Sequence, residues 1–202
     1  MGWTPVVSKV ETFAPAKINL FLHVGDKRAD GFHELESLVV FAAVGDALTF
    51  EESPDLSLAL EGPFAVDLAL DANNLVLRAA RALAEAAGRE AAAEIELTKN
   101  LPVASGIGAV DRTPPLRDVN SLATFLKMTS NDLQAPALAI APVIGEVLGE
   151  LSRMPGALLW RMSGSGATCF ALFEDDGTAQ MAAIALAHSH PKWWVQATRL
   201  LA

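Results

Sequence analysis

The chain has 202 residues, a mass of 21.3 kDa and a formal net charge of −9, and 51% of its residues are hydrophobic. Because only 19% are charged, the chain can bury a core, and a disordered protein is excluded. The acidic balance without any run of basic residues argues against nonspecific nucleic-acid binding. No apolar stretch approaches the roughly 20 residues of a membrane span.

Cys169 is the single cysteine, which excludes an internal disulfide framework and a cysteine-rich zinc site. Its strand-like neighbours predict a buried core thiol. One cysteine fits a reducing compartment, and residues 1–11 lack the basic and apolar regions of a secretory signal. We therefore expect a cytoplasmic protein.

The first half of the chain is predicted to be mainly β-structure. Residues 56–60 alternate between leucine and small residues, a period of two that is typical of a half-buried strand. A helix follows, which Asn73 or Asn74 can cap and Gly88 can end, with Val76, Ala79, Ala80, Leu83 and Ala87 on one face. The predicted strands are 17–24, 35–44, 48–50, 56–60 and 94–98, with a turn at 25–31.

The second half mixes helices and strands without regular βαβ alternation, so the predicted fold class is α+β. Pro142 suits the first turn of a helix, and Pro155 with Gly156 ends that helix. Asp175 and Asp176 favour the start of another helix. The predicted helices are 121–128, 142–154 and 178–187, the predicted strands are 157–160, 167–173 and 194–200, and 111–118 is a predicted loop.

Two glycine-rich segments are candidate anion sites. Residues 102–108 follow a predicted strand, and consecutive backbone N–H groups there could face a phosphate. A plain glycine-rich turn remains an alternative, and no Gly-Lys-Ser/Thr follows, so the segment is not a Walker A loop. Residues 163–168 contain Gly164 and Gly166 together with three hydroxyl side chains, and a simple hairpin connection is the alternative there.

Polar side chains also interrupt the first predicted strand and its turn. Lys17 and Asn19 lie two residues apart and so share one face of the strand, where Lys17 could neutralise developing charge. An edge-strand charge that prevents aggregation is the alternative. In the turn, Phe32 and His33 could hold a planar base by stacking and hydrogen bonding, although a turn histidine can equally be solvated.

Taken in order, residues 15–24, 30–35, 101–108 and 162–170 resemble the GHMP kinases over nearly the whole chain. The first two segments resemble the branch that phosphorylates the 2-hydroxyl of a cytidyl-diphosphate derivative of methylerythritol in non-mevalonate isoprenoid synthesis. This resemblance implies an N-terminal domain like ribosomal protein S5 domain 2 and a C-terminal ferredoxin-like domain. The expected boundaries are 1–110 and 111–202, with the first domain incomplete.

The resemblance also implies roles for individual residues. Lys17 matches the active-site lysine, and Asn19 matches a polar residue on the substrate side. Phe32, where tyrosine is usual, and His33 match the pair that holds cytosine. ATP with Mg²⁺ and a small-molecule substrate are the expected partners, without nucleic acid or membrane, and the oligomeric state is left open. The residues matching the ATP site are Lys99, Asn100, Pro102, Val103, Ala104, Ser105, Gly106, Ile107, Gly108, Gly164, Ser165 and Gly166.

The sequence departs from this family directly after Gly108. In the family the loop continues into Gly-Gly-Ser and a helix, and a later Leu-Gly-Ala-Asp segment supplies the catalytic base. Here Gly108 is followed by Ala109 and a proline-rich stretch, so an internal block is predicted to be absent. The alternatives are a kinase whose given sequence omits this block, a catalytically dead fragment that binds nucleotide weakly, and a related kinase with another substrate. Asp111 and Asp118 lie near the junction, but in a predicted loop, and are not assigned the catalytic role.

Overall fold

A computed structural model of the chain describes residues 9–71, 73–102 and 118–201. Strands and helices are mixed in them, in agreement with the α+β prediction. No helix in these ranges has the length and apolar character that a membrane crossing requires. The strands are β1 (Val10–Lys27), β2 (His33–Glu51), β3 (Leu56–Glu61), β4 (Ala93–Thr98), β5 (Leu159–Met162) and β6 (Cys169–Leu172). The helices are α1 (Leu75–Ala86), α2 (Val119–Lys127), α3 (Gln134–Ile140), α4 (Val143–Arg153) and α5 (Asp176–Ser189), and Ala65–Asp67 forms one 3₁₀ turn.

The described chain forms two compact units, each made of two separate segments. The first contains residues 9–16 and 44–102, and the second contains 17–43 and 118–201. The long strands β1 and β2 therefore contribute residues to both units. The consecutive domains 1–110 and 111–202 stay a prediction.

The first unit is organised around β4. This strand pairs antiparallel with the end of β2, from Ala47 opposite Thr98 to Glu51 opposite Glu94, and parallel with β3. Its side chains alternate, with Ile95 and Leu97 buried, as the period of two predicts. The complete strand order of this sheet is β1-β2-β4-β3.

Helix α1 has its predicted ends but little burial. Asn74 is the N-cap, since its side-chain oxygen accepts a hydrogen bond from Val76 N at 3.0 Å, and Gly88 adopts a φ of 64° just beyond the C-cap. None of the α1 residues is buried. Leu75 and Leu83 are 74% and 72% exposed. The apolar face predicted for this helix is therefore only partly covered: Val76 and Ala80 are half-buried, whereas Leu83 is exposed.

The second unit contains two apolar clusters. The larger one joins residues of β1 and β2 to α2, β5 and β6, and Leu20 and Leu126 at its centre are fully buried. The smaller one joins α3 and α4 to Met162, and the half-buried Cys169 packs against it. Burial raises the pKa of the Cys169 thiol to about 11, in accord with a core thiol. β5 and β6 form an antiparallel pair.

Two predicted strands differ from the structure, and one helix was not predicted. The strand predicted at 194–200 is wrong, because only Leu200 forms a bridge, with Ala42, and two backbone hydrogen bonds attach this end of the chain to β2. α3 was not predicted; it contains Pro136, a residue that is unusual inside a helix. The separate strand predicted at 48–50 is part of the continuous β2.

Candidate active site

Lys17 and Asn19 lie on β1 and contact each other directly. Lys17 Nζ donates a hydrogen bond to Asn19 Oδ1 at 2.5 Å, as expected for residues that share one face of a strand. Asn19 is only 3% exposed, whereas Lys17 is half-buried. Burial lowers the pKa of the Lys17 amine below its ordinary value of 10.5. No ion pair between Lys17 and a carboxylate occurs in the described ranges.

The backbone of Asn19 connects β1 to the second glycine-rich segment. Asn19 N donates to Ser163 Oγ at 2.9 Å, although the two residues are 144 positions apart. Gly164 and Gly166 have φ values of 55° and 87°, which residues with side chains rarely adopt. A Cβ atom at Gly164 would lie 3.2 Å from Asn19 Oδ1. Glycine therefore lets this loop approach the Lys17–Asn19 pair closely.

Asn131 holds this loop from the other side. Its Nδ2 donates to Met162 O at 2.7 Å and to Gly164 O at 2.8 Å. Asn131 also forms a parallel bridge with Leu22 of β1. Next to it, Asp132 accepts hydrogen bonds from Val24 N and from a serine hydroxyl, and the Val24 bond is the main reason that the pKa of Asp132 is lowered. The segment around Asn131 thus fastens the glycine-rich loop to β1.

Phe32 and His33 lie at the turn between β1 and β2. Asp30 Oδ1 accepts a hydrogen bond from Phe32 N, and the Phe32 side chain is 74% exposed. His33 Nδ1 lies 3.0 Å from Gly25 O. A carbonyl oxygen can only accept, so Nδ1 carries a proton, and in the corresponding neutral tautomer Nε2 is an acceptor. The turn therefore offers an exposed aromatic face beside a hydrogen-bond acceptor.

Lys99 and Asn100 belong to the first unit, where both are bound to Asp46. Lys99 Nζ lies 2.6 Å from Asp46 Oδ2, and the two side chains are 11% and 15% exposed. Asp46 Oδ1 accepts from Asn100 N at 2.8 Å and from Leu101 N at 2.9 Å. This geometry gives Lys99 a structural partner, and contact of Lys99, Asn100 and Pro102 with ATP stays a prediction. Val103, Ala104, Ser105, Gly106, Ile107 and Gly108 lie outside the described residues.

Three buried polar residues near the Lys17–Asn19 pair lie outside the motifs that the sequence predicts. Ser37 and Asn131 are 2% and 7% exposed, and Arg161 is 8% exposed. Arg161 donates to the carbonyl oxygens of Leu20 and Leu126 at 2.8 Å, and burial lowers its guanidinium pKa. Arg161 lies within the apolar strand β5, and a charged residue in such a strand indicates a buried polar contact. A serine or asparagine within apolar sequence gives no such sign.

The described ranges contain no group of three or more His, Cys, Asp or Glu residues that could hold a metal ion.

The structure brings together Lys17, Asn19 and the 163–166 loop, and the Phe32–His33 turn belongs to the same unit. Lys99 and Asn100 belong to the other unit. Such a basic side chain beside a glycine-rich loop suits the binding of an anionic ligand.

Comparisons with known proteins agree with this chemistry. A family model described as GHMP kinases C terminal matches residues 113–190. A 4-diphosphocytidyl-2-C-methyl-D-erythritol kinase from Cereibacter sphaeroides is 37% identical, covering 94% of this chain and 99% of the relative. One from Paracoccus denitrificans is 38% identical, covering 93% and 95%. A crystal structure of 4-(cytidine 5'-diphospho)-2C-methyl-D-erythritol kinase superposes with a TM-score of 0.69 at 24% identity, over 96% of this chain and 100% of that one.

The alignments also bear on the predicted internal gap. The alignment with the Cereibacter protein spans 279 positions, whereas 94% of 202 residues is about 190, so about 89 positions hold no residue of this chain. Because both proteins are covered nearly end to end, these positions lie inside the alignment. These positions of the alignment therefore have no counterpart in this chain, and that they form one continuous block at Gly108/Ala109 stays a prediction. With such identity over almost its whole length, the chain belongs to the 4-diphosphocytidyl-2-C-methyl-D-erythritol kinase family of the GHMP kinases.

Proposed function

We propose that this protein transfers the γ-phosphate of ATP to the 2-hydroxyl of 4-diphosphocytidyl-2-C-methyl-D-erythritol in non-mevalonate isoprenoid biosynthesis. The observation that carries the proposal is the 35–38% identity to relatives with that kinase name over more than 90% of the chain. The contact of Lys17 and Asn19 with the glycine-rich loop supports it, since phosphoryl transfer depends mostly on positioning and charge stabilisation.

The proposed roles follow the chemistry of each side chain. The Lys17 ammonium stabilises negative charge that develops during transfer, and Asn19 contacts the acceptor part of the substrate. Phe32 stacks on the cytosine, and His33 binds its edge through Nε2. Lys99, Asn100, residues 102–108 and Gly164, Ser165 and Gly166 bind ATP, with backbone N–H groups facing the phosphates.

Two finer features are part of the same proposal. The domains are 1–110, like ribosomal protein S5 domain 2, and 111–202, ferredoxin-like. Mg²⁺ accompanies ATP and neutralises phosphate charge. The described residues provide no cluster of metal ligands, so the ion would be bound mainly by the phosphates, which is common for Mg²⁺.

An assay of the purified chain with ATP and the cytidyl substrate tests the proposal. We expect phosphorylation, slow if the catalytic base lies in the predicted gap, that Lys17→Ala abolishes and that Lys127→Ala, at an exposed position ending α2, leaves unchanged. An unchanged kcat in Lys17→Ala would contradict the role of Lys17. Phosphorylation of homoserine or mevalonate instead would identify another branch of the family.

The predicted internal gap leads to a second candidate function. The catalytic aspartate that the family resemblance implies falls in the predicted gap, so a protein that binds nucleotide without transferring phosphate is the second candidate. Titration with ATP and with cytidine nucleotides distinguishes the two. Binding without turnover would support the inactive nucleotide-binding module, and turnover would exclude it.

A further inference from the structure

Ser37 is a buried hydroxyl on β2 that no sequence motif singles out. It is 2% exposed and lies between two groups of β1. Ser37 Oγ lies 2.6 Å from Phe21 O and 2.7 Å from the side-chain amide of Asn19. Because a carbonyl oxygen cannot donate, the single proton of the Ser37 hydroxyl must point to Phe21 O. Towards Asn19, the hydroxyl can therefore act only as an acceptor.

This direction fixes the orientation of the Asn19 carboxamide. Only its NH₂ group can donate to Ser37, so Nδ2 faces Ser37 and Oδ1 faces the other way, 2.5 Å from Lys17 Nζ. The opposite orientation would place Nδ2 beside the Lys17 ammonium, two donors facing each other, and would leave Oδ1 against a hydroxyl with no proton to give. The arrangement thus has one orientation with all hydrogen bonds satisfied.

We propose that Ser37 is a positioning residue for phosphoryl transfer: it locks the Asn19 amide, and the locked Asn19 oxygen holds the Lys17 amine beside the glycine-rich loop. The inference rests on the proposed function, because it gives the hydrogen bonds between Ser37, Asn19 and Lys17 a role in phosphoryl transfer. The side-chain hydrogen bonds of Ser37 go to Asn19 and to Phe21 O, so Ser37 acts on Lys17 through Asn19.

The first experiment measures Lys17 without any phosphoryl transfer. Competitive acetylation of the intact protein across pH, read by peptide mass spectrometry, gives the titration and reactivity of each lysine separately. In Ser37→Ala we expect the Lys17 titration to move to lower pH, because a mobile Asn19 no longer stabilises the ammonium form, while Lys127 stays unchanged. An unmoved Lys17 titration in folded Ser37→Ala would overturn the proposal.

A double-mutant cycle separates action through Asn19 from a general structural effect. In an Asn19→Ala background, Ser37→Ala should change the Lys17 titration no further. The same shift with and without Asn19 would overturn the proposal. Ser152→Ala is the matched control, since this α4 hydroxyl also donates to a backbone carbonyl, that of Gly149, at an exposed site.

If Ser37→Ala does not fold, the unsubstituted protein still tests the inference. One Asn19 Nδ2 proton should be protected from solvent exchange in NMR spectra, and exchange at the rate of a free amide would contradict the lock. In the kinase assay, Ser37→Ala should lower kcat by up to about 100-fold with a smaller change in KM for ATP. Absence of turnover in the unsubstituted protein would count against the proposed function alone, because acetylation and exchange need no turnover.

Discussion

At the scale of single residues, the position of the ring hydrogen on His33 determines how this side chain can bind cytosine. Nδ1 is committed to Gly25 O, so Nε2 can accept a hydrogen bond from the exocyclic amine of cytosine. His33→Ala should therefore raise KM for the cytidyl substrate about 3- to 10-fold, the value of one hydrogen bond, and change KM for ATP little. Initial rates with each substrate varied in turn measure this. Equal changes in both KM values would contradict base recognition, and His188→Ala at the end of α5 is the control.

The Lys99–Asp46 pair leads to a prediction about stability. Asp46 accepts from the Lys99 ammonium and from the backbone of Asn100 and Leu101, with both charged side chains at most 15% exposed. Asp46→Ala leaves a buried cation and two N–H groups without their acceptor, which should lower the free energy of unfolding by about 3 kcal/mol. Urea denaturation measures the loss.

The matched control is the exposed contact of Lys9 with Glu51, whose side chains are 52% and 42% exposed and whose charged atoms lie 3.8 Å apart. Glu51→Ala should lower the free energy of unfolding by less than about 1 kcal/mol. A loss of similar size in Asp46→Ala would mean that the buried carboxylate is not holding this turn. Lys99 would then be available for the ATP contact that the family resemblance implies.

The sequence could predict the Lys17–Asn19 contact but not what surrounds it. Residues two positions apart in a strand lie on the same face, independently of the rest of the fold, so the contact of Lys17 with Asn19 follows from local geometry. Ser37, Asn131 and Ser163 meet β1 only because distant segments fold against it. Neither periodicity nor composition encodes such contacts. Ser37 and Asn131 therefore carried no recognisable pattern, and Ser163 was recognised only as part of a glycine-rich segment.

At the scale of elements, helix ends were predicted well because their causes are local. Asn74 caps α1 through an atom two residues away, and Pro142 and Gly156 act within one turn. Strand 194–200 was predicted wrongly because a strand requires a partner, and its sequence pattern does not reveal whether one is near. The chain end bonds to β2 at two points instead of forming a ladder.

The N-cap should contribute a large share of the stability of α1, because none of the residues of this helix is buried. Asn74→Ala removes the acceptor for Val76 N and should lower the free energy of unfolding by about 1 kcal/mol. Asn73→Ala is the control, since only the backbone of Asn73 bonds to Asp71. Urea denaturation of both variants measures the difference, and equal losses would contradict the assignment of Asn74 as the cap.

At the scale of the whole molecule, the predicted gap allows the contribution of the folded site to be measured apart from that of the catalytic base. The described residues contain six strands, the glycine-rich 163–166 loop and the polar contacts around Lys17. The base implied by the resemblance falls in the predicted gap. Positioning and charge stabilisation can therefore be present while proton removal from the acceptor hydroxyl is not, and these two contributions can be measured apart.

Restoring the block tests that separation. Insertion of the corresponding segment of the Cereibacter sphaeroides relative between Gly108 and Ala109 should raise kcat by roughly 10²- to 10⁴-fold, the usual contribution of a general base. The same insert, with the aspartate of the Leu-Gly-Ala-Asp segment that the family resemblance implies changed to asparagine, restores the packing but not the base. Its kcat should stay at the level of the unmodified chain. Equal kcat in the two inserted proteins would mean that the block acts through folding, and a high kcat without any insert would mean that this chain removes the proton by another group.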